Sequence, residues 1–367
     1  MKRSFNIWGN VLTIAVVLLA IFLLSIPMGK YSTGYSVAGN VIFLLLGALV
    51  SGIVCTFLHE AGHLLFAKKN GFKVTVFKFW FFKWTLKNGG YEFSFTLPLS
   101  EAGATETAPL YPENVEKRMI KSTYGGLIFS FFSMIISIPA FFIYGKVPFI
   151  VFCILGTFLP VGAYFFVGNA FPMSSDGVFN DGGVIYALKK KTPEGVVMGG
   201  ILKIQAELIG GKTPSEIDNK LYFDLPQLQE DSPYFINLLT LRYLYYLDKG
   251  DYVDAKKVTD RLLTLESYMS FEIKFLVKTY ALYGTCTFDF DEYRADDYTA
   301  ELEKYLNKSD DLSVLCAKTA YILYVRKEKD VAKRFVDKGL SDALTAFPSG
   351  VSKLYGRLFR KMKKDLL

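Results

Sequence analysis

The chain contains only two histidines, and they lie four residues apart in the string His59-Glu60-Ala61-Gly62-His63. On a helix, residues four apart share one face, so both imidazoles would point to the same place. Two imidazoles in this arrangement can bind a zinc ion, and the adjacent carboxylate can act as general base toward the water that attacks a substrate carbonyl. The spacing therefore predicts zinc-dependent hydrolysis. The simpler alternative is two unrelated histidines on a helix surface.

A third ligand has to come from elsewhere in the chain. A catalytic zinc usually has three protein ligands and one open position. No third histidine is present, so the remaining ligand would be a carboxylate or a cysteine. The first two aspartates of the chain are Asp176 and Asp181, in a Gly- and Ser-rich segment. Either could complete the site, and either could instead be an ordinary turn residue.

The histidine pair ends a long apolar stretch. Residues 31–58 carry no charge, and Glu60 is the only acidic residue within the predicted membrane-spanning segments. A carboxylate in the membrane costs roughly 2.5–3.5 kcal/mol on insertion scales, and such residues usually have a functional role. The setting indicates a reaction inside or at the edge of the bilayer.

Four charge-poor apolar segments precede residue 175, at about 7–28, 36–67, 123–144 and 147–172. Each is long enough to span a bilayer, whereas the chain after residue 190 is polar. The whole net charge of +7 lies in residues 1–175. This distribution indicates orientation in a membrane and argues against nucleic-acid binding.

Lysine and arginine placement predicts the topology. The connection between the second and third spans carries nine basic residues, and the other two connections carry one each. The positive-inside rule then places both termini and the C-terminal region in the cytoplasm, with the protein in the cell membrane. The second and fourth spans would both end at the cytoplasmic face. The histidines and the aspartates are therefore expected in the same leaflet.

Two motifs together resemble one known family. His-Glu-Ala-Gly-His ends one span, and Asn169-x-x-Pro172 followed by Asp-Gly ends another. This pattern, over about residues 36–190, resembles the site-2 protease family of intramembrane zinc metallopeptidases. The resemblance implies that His59, His63 and an aspartate bind zinc and that Glu60 activates water. It also implies that Asn169 positions the substrate or polarises the scissile carbonyl.

The aspartate departs from the commonest family spacing, which would place it at Gly177. Asp181 fits a variant with a longer loop, because a short amphipathic helix would follow it over 184–188. Asp176, one residue short of the common position, is the alternative ligand.

Between spans two and three, residues 73–86 and 91–98 are rich in β-branched and aromatic residues and flank a Gly-containing turn. They predict a small membrane-associated β-hairpin. The resemblance implies that an edge strand here holds the substrate extended. The alternative is an interfacial hairpin with no substrate role.

Residues 195–367 are predicted to be helical throughout. The pattern Gly250-x-Tyr252-x-x-Ala255 resembles a tetratricopeptide unit, and a similar rhythm returns over 330–335. We expect a helical-repeat-like cytosolic domain, which could bind a protein partner on a concave surface. A plain helical bundle is the alternative.

The predicted fold is mainly α. A polytopic membrane core of four spans with a β-hairpin is followed by an all-α domain. The predicted regions are an N-terminal span (1–35), a protease core (36–190) and the helical domain (191–367). The expected function is intramembrane zinc endopeptidase, cutting membrane-protein or peptide-precursor substrates within or near their transmembrane segments, close to the cytoplasmic face. A catalytically degenerate membrane adaptor or immunity protein, and a protease acting on soluble peptides at the membrane surface, are the alternatives.

Overall fold

The computed structural model describes residues 3–29, 31, 36–87, 90–97, 102–175 and 177–366. The chain forms two compact units. The first consists of Met1–Leu86, Tyr91–Ala108 and Glu116–Gly195. The second consists of Val196–Leu367 with the short segments Lys87–Gly90 and Pro109–Val115. The N-terminal span and most of the predicted protease core therefore belong to one unit.

The membrane region is helical, as the apolar segments predicted. Its helices are α1 (Arg3–Met28), α2 (Val37–Lys69), α3 (Val115–Ile135), α4 (Ala140–Ile143), α5 (Phe149–Ala170) and α6 (Asp181–Lys190). Four stretches are long and apolar enough to cross a membrane: Asn6–Met28, Val37–Lys69, Val115–Ile143 and Phe149–Ala170. Large apolar side chains on them, such as Leu18 and Leu45, are exposed and suited to face lipid. The prediction of four spans is confirmed.

A four-stranded sheet follows α2, where the sequence predicted one hairpin. Its strands are β1 (Phe72–Phe79), β2 (Phe82–Lys87), β3 (Gly90–Phe95) and β4 (Gly103–Pro109), in the order β3-β2-β1-β4. The predicted first strand, 73–86, is divided because the chain reverses at Trp80 and Phe81, so that Phe79 pairs with Phe82 in antiparallel register. Trp80 has a φ of 50°. An aromatic residue rarely adopts that conformation. The two turn residues include neither the Gly nor the Asn that usually indicates a hairpin turn, so the sequence did not predict a turn here.

The last strands of the first unit are two short ones, β5 (Ser174–Ser175) and β6 (Val178–Phe179), which pair antiparallel. They form a small loop between the end of α5 and the start of α6. This loop accounts for the unusually long sequence separation between Asn169 and Asp181.

The second unit is helical, as predicted. Its α-helices are α7 (Pro193–Ile209), α8 (Lys220–Phe223), α9 (Pro233–Lys249), α10 (Tyr252–Thr264), α11 (Phe271–Thr287), α12 (Glu292–Lys308), α13 (Leu312–Ala320), α14 (Lys329–Asp342) and α15 (Ser349–Asp365). Successive helices from α9 to α14 pack as three pairs. The fourth residue of the second helix in each pair is a fully buried alanine: Ala255, Ala295 or Ala332. The recurrence gives the repeat a structural basis, since a small residue permits close helix packing.

Helix α15 packs back onto the beginning of the second unit. Its apolar side chains, including Phe359 and Met362, lie in the main core. Lys353 donates a hydrogen bond of 2.6 Å to the Gly211 carbonyl, and Arg357 pairs with the buried carboxylate of Asp248. The unit is therefore closed by its own last helix.

Candidate metal centre

The two histidines lie on one face of α2 and point at each other. Their Nε2 atoms are 3.2 Å apart, and the two rings are nearly perpendicular, at 84°. His59 is only 7% exposed. The helical spacing thus brings both imidazoles to one buried point, as predicted.

Two residues about two turns apart on α3 orient these rings. Ser130, which is fully buried, lies with its Oγ 2.8 Å from Nδ1 of His59. The backbone at Ser122 hydrogen-bonds His63. Because Nδ1 of His59 is occupied by Ser130, its Nε2 is directed toward His63. Such outer partners fix the orientation of ligand histidines in metal sites.

Glycines allow α3 to approach α2 this closely. A Cβ at Gly62 would lie 2.3 Å from the carbonyl oxygen of Gly125, and a Cβ at Gly125 would lie 2.3 Å from that of Gly62. A Cβ at Gly126 would lie only 2.2 Å from Nε2 of His63. The helices therefore cross backbone to backbone, and the ring of His63 occupies the space that a side chain at position 126 would fill.

Asp181, the first residue of α6, completes the cluster. Its Oδ2 lies 3.5 Å from Nε2 of His59 and 3.2 Å from Nε2 of His63. This oxygen is buried and accepts no hydrogen bond of normal geometry from any described residue. Asp176, the alternative ligand, lies outside the described residues.

The three separations fit a shared tetrahedral ion. Zn–N and Zn–O bonds of 2.0–2.2 Å at tetrahedral angles place neighbouring ligand atoms about 3.4 Å apart. The three ligand atoms here are separated by 3.2, 3.2 and 3.5 Å. Three lone-pair atoms this close, one of them a buried carboxylate oxygen without a donor, are suited to surround a cation. The residues present therefore fit zinc.

Asn180, which was not identified from the sequence, positions Asp181. Its Oδ1 accepts hydrogen bonds of 2.9 Å from the backbone N–H groups of Gly183 and Met173. Its Nδ2 donates 2.7 Å bonds to the carbonyls of Gly168 and Phe171. Asn180 thus caps α6 and ties it to the end of α5. An Asn before a predicted helix start was the only available signal.

Helix α1 also contacts the loop that leads to Asp181. Asn6 donates a 2.6 Å bond from Nδ2 to the Ser174 carbonyl and accepts a 2.9 Å bond at Oδ1 from the Ser174 N–H. Through these two hydrogen bonds, the side-chain amide of Asn6 pairs with the backbone of β5. The first span therefore helps to hold the aspartate loop, which the sequence did not indicate.

Glu60 lies beside the cluster and is held by β4. Thr105 Oγ1 donates a 2.7 Å hydrogen bond to Glu60 Oε2, and the side chain of Glu60 is buried. A Cβ at Gly103 would lie 2.8 Å from Oε1 of the same carboxylate. The backbone of β4 therefore runs directly against Glu60. Thr105 was not identified from the sequence.

One cavity of about 370 Å³ joins these groups. Glu60, both histidines, Asp181 and Asn169 all line it, together with residues of β4. Asn169 donates from Nδ2 to the Phe165 carbonyl at 2.9 Å within α5. The structure thus brings every described residue of the predicted site to one cavity. In comparisons with known proteins, no family model, no curated protein and no solved structure matches this chain.

Proposed function

We propose that this protein is an intramembrane zinc endopeptidase of the site-2 protease type. The observation that carries the proposal is the convergence of His59, His63 and Asp181, from two membrane-region helices far apart in sequence. Asp181 meets the histidines although its distance from Asn169 departs from the common family pattern. That meeting supports the peptidase over a degenerate adaptor protein, the alternative that the unusual spacing motivated.

Zinc bound by these three residues would polarise the scissile carbonyl and make water a stronger nucleophile at neutral pH. The remaining chemistry falls to side chains of the chain itself. Glu60 lines the same cavity as the ligands, so its carboxylate can take the proton from the attacking water. Glu60 then passes that proton to the leaving amine.

Asn169 is proposed to act on the substrate. Its Nδ2 already donates to a carbonyl of its own helix, so one amide hydrogen remains for the cavity. That hydrogen would bind the substrate backbone near the bond that breaks. The role is positioning and charge stabilisation of the carbonyl oxygen.

The site's position in α2 suggests where substrates are cut. His63 is six residues before Lys69, the end of the helix, which is about 9 Å at helical rise. We propose that the cut lies in or beside a transmembrane segment, near one edge of the bilayer. On the proposed topology that edge is cytoplasmic, with both termini and the helical unit on the same side.

Strand β4 is suited to hold an unwound substrate. It is an edge strand of the sheet, and its residues Gly103, Thr105 and Thr107 line the cavity. A helical substrate hides its peptide bonds, so it must be extended before hydrolysis. An edge strand offers unpaired backbone groups for such a segment.

The test compares membrane proteomes from cells that produce the wild-type protein, Glu60→Gln or Glu303→Gln. Glu303 is exposed on α12 and serves as the matched control. We expect uncut precursors to accumulate only with Glu60→Gln, since loss of a general base costs about 10²–10⁴-fold. Zinc content should be unchanged in both variants. Full cleavage by Glu60→Gln would refute the assigned base. Fragments cut only outside membrane segments would favour a protease of soluble peptides.

A further inference from the structure

A second cavity of about 550 Å³ lies between α3, α5 and α6. It is separate from the metal centre, and its walls are almost wholly apolar. Leu127, Ile128 and Phe131 of α3 form one side, and Phe166 of α5 faces them. Its volume is in the range of small-molecule sites, about 300–1,000 Å³. An apolar cavity on the lipid-facing side of a membrane helix needs an apolar occupant.

The polar groups of this cavity gather at one end. Lys189 and Lys190, in the last turn of α6, line it beside Tyr124. Lys189 Nζ donates a 2.7 Å bond to the Tyr124 hydroxyl and lies 5.1 Å from the ring centroid. Phe131 is seven residues further along α3, about 10 Å from Tyr124. The cavity is therefore cationic at one end and apolar along its length.

Charge complementarity identifies the ligand class. None of the described residues that line the cavity is acidic, and both lysines are exposed. Lys189 and Lys190 end the ten-residue helix that begins at Asp181, so they lie within about 15 Å of the metal centre. On the proposed topology, that places them near the edge of the bilayer, where lipid headgroups are found. Basic pockets between transmembrane helices bind anionic headgroups.

We propose that this cavity is a binding site for an anionic phospholipid. An acyl chain lies along Leu127, Ile128 and Phe166, and the phosphate meets Lys189 and Lys190. Helix α6 carries Asp181 in its first turn and these lysines in its last. A bound lipid therefore supports the helix that presents the carboxylate. Lipid binding itself does not depend on the proposed peptidase activity.

The test uses the full-length protein in detergent and native mass spectrometry. Phosphatidylglycerol and phosphatidylcholine with identical acyl chains compete for the delipidated protein. We expect one phosphatidylglycerol to be retained in preference to phosphatidylcholine. The double variant Lys189→Gln/Lys190→Gln should lower that preference about 25-fold, at roughly fivefold for each lysine. The control Lys68→Gln/Lys69→Gln removes two exposed lysines at the end of α2 and should keep it.

A second variant tests the apolar part of the site. Ile128→Trp would fill the cavity and should reduce retention of both lipids while leaving the lysines in place. Equal retention of the two lipids by the wild type would overturn the proposal. An equal loss of lipid preference in Lys189→Gln/Lys190→Gln and in Lys68→Gln/Lys69→Gln would also overturn it. Wild-type lipid retention by Ile128→Trp would do the same. Displacement of the lipid by an apolar helical peptide, with no effect of the lysines, would assign the groove to a protein segment instead.

Discussion

Thr105 Oγ1 donates a 2.7 Å hydrogen bond to Glu60 Oε2, so a strand holds the carboxylate that the helix presents. Glu60 alone could adopt several rotamers on α2. The contact from β4 selects one that faces the cavity with the metal ligands. The sheet thus takes part in forming the site as well as in bordering it.

Thr105→Val should impair turnover without releasing zinc. Valine has nearly the same shape but no hydroxyl, and hydrogen bonds to charged groups contribute about 1.5–3 kcal/mol. We therefore expect cleavage to fall about tenfold or more, with zinc content unchanged. Thr105→Ser keeps the hydroxyl and should stay close to wild type. Equal activity of the valine and serine variants would show that the contact does not position Glu60.

Gly126→Ala should weaken metal binding. The added methyl group would overlap Nε2 of His63, and overpacking of this kind costs about 1–3 kcal/mol. Zinc affinity, measured by competition with a chromogenic chelator, should fall about 10–100-fold. Gly52→Ala on α2 is the control, because a Cβ there meets nothing within 4 Å. Wild-type affinity in Gly126→Ala would mean that the ring of His63 lies elsewhere.

Asn180→Ala should loosen the third ligand. The substitution removes four hydrogen bonds that connect the start of α6 to α5 and to the preceding loop. Loss of such supporting partners typically costs 10–100-fold in metal affinity. Asn219→Ala, at a helix cap with no side-chain hydrogen bond, is the matched control. Equal zinc affinities for the two variants would show that Asp181 does not need this cap.

The convergence of His59, His63 and Asp181 could be predicted because the signals for it are local or topological. The helical period determines where His59 and His63 point, and counting spans places the aspartates at the same end as the histidines. Asp181 could be chosen as a ligand on one condition, that the loop after Asn169 is longer than in the common family pattern. The structure supplies that loop as β5 and β6, with Asn180 at its end.

The supporting residues could not be predicted, because each depends on a tertiary contact. Thr105 lies in β4, which is outside the two predicted strands. The turn at Trp80 and Phe81 divides the first predicted strand, so the sheet has more strands than the expected hairpin. Asn6 is 168 residues from its partner Ser174. Nothing in the sequence distinguishes Ser130 from other serines in apolar helices. Its contact with His59 forms because α3 crosses α2 at glycines.

The cysteines of the helical unit should be unreactive in the folded protein. Burial raises the pKa of Cys286 to about 12 and also raises the pKa of Cys316. At pH 8 only about one Cys286 in 10⁴ would be thiolate, the form that alkylating reagents attack. We expect iodoacetamide to modify both residues only after denaturation, as read by peptide mass spectrometry. Because the pKa is raised, reactivity should increase with pH up to the limit of folding. Rapid modification at pH 8 would contradict the buried packing.

The zinc content of the purified full-length protein tests the central claim most directly, with Asp181→Ala and Asp176→Ala measured alongside the wild type. We predict about one zinc per chain in the wild type and in Asp176→Ala, and loss of most of it in Asp181→Ala. A wild-type protein that takes up no zinc, or an Asp181→Ala variant that keeps it while Asp176→Ala does not, would contradict the proposed ligand set.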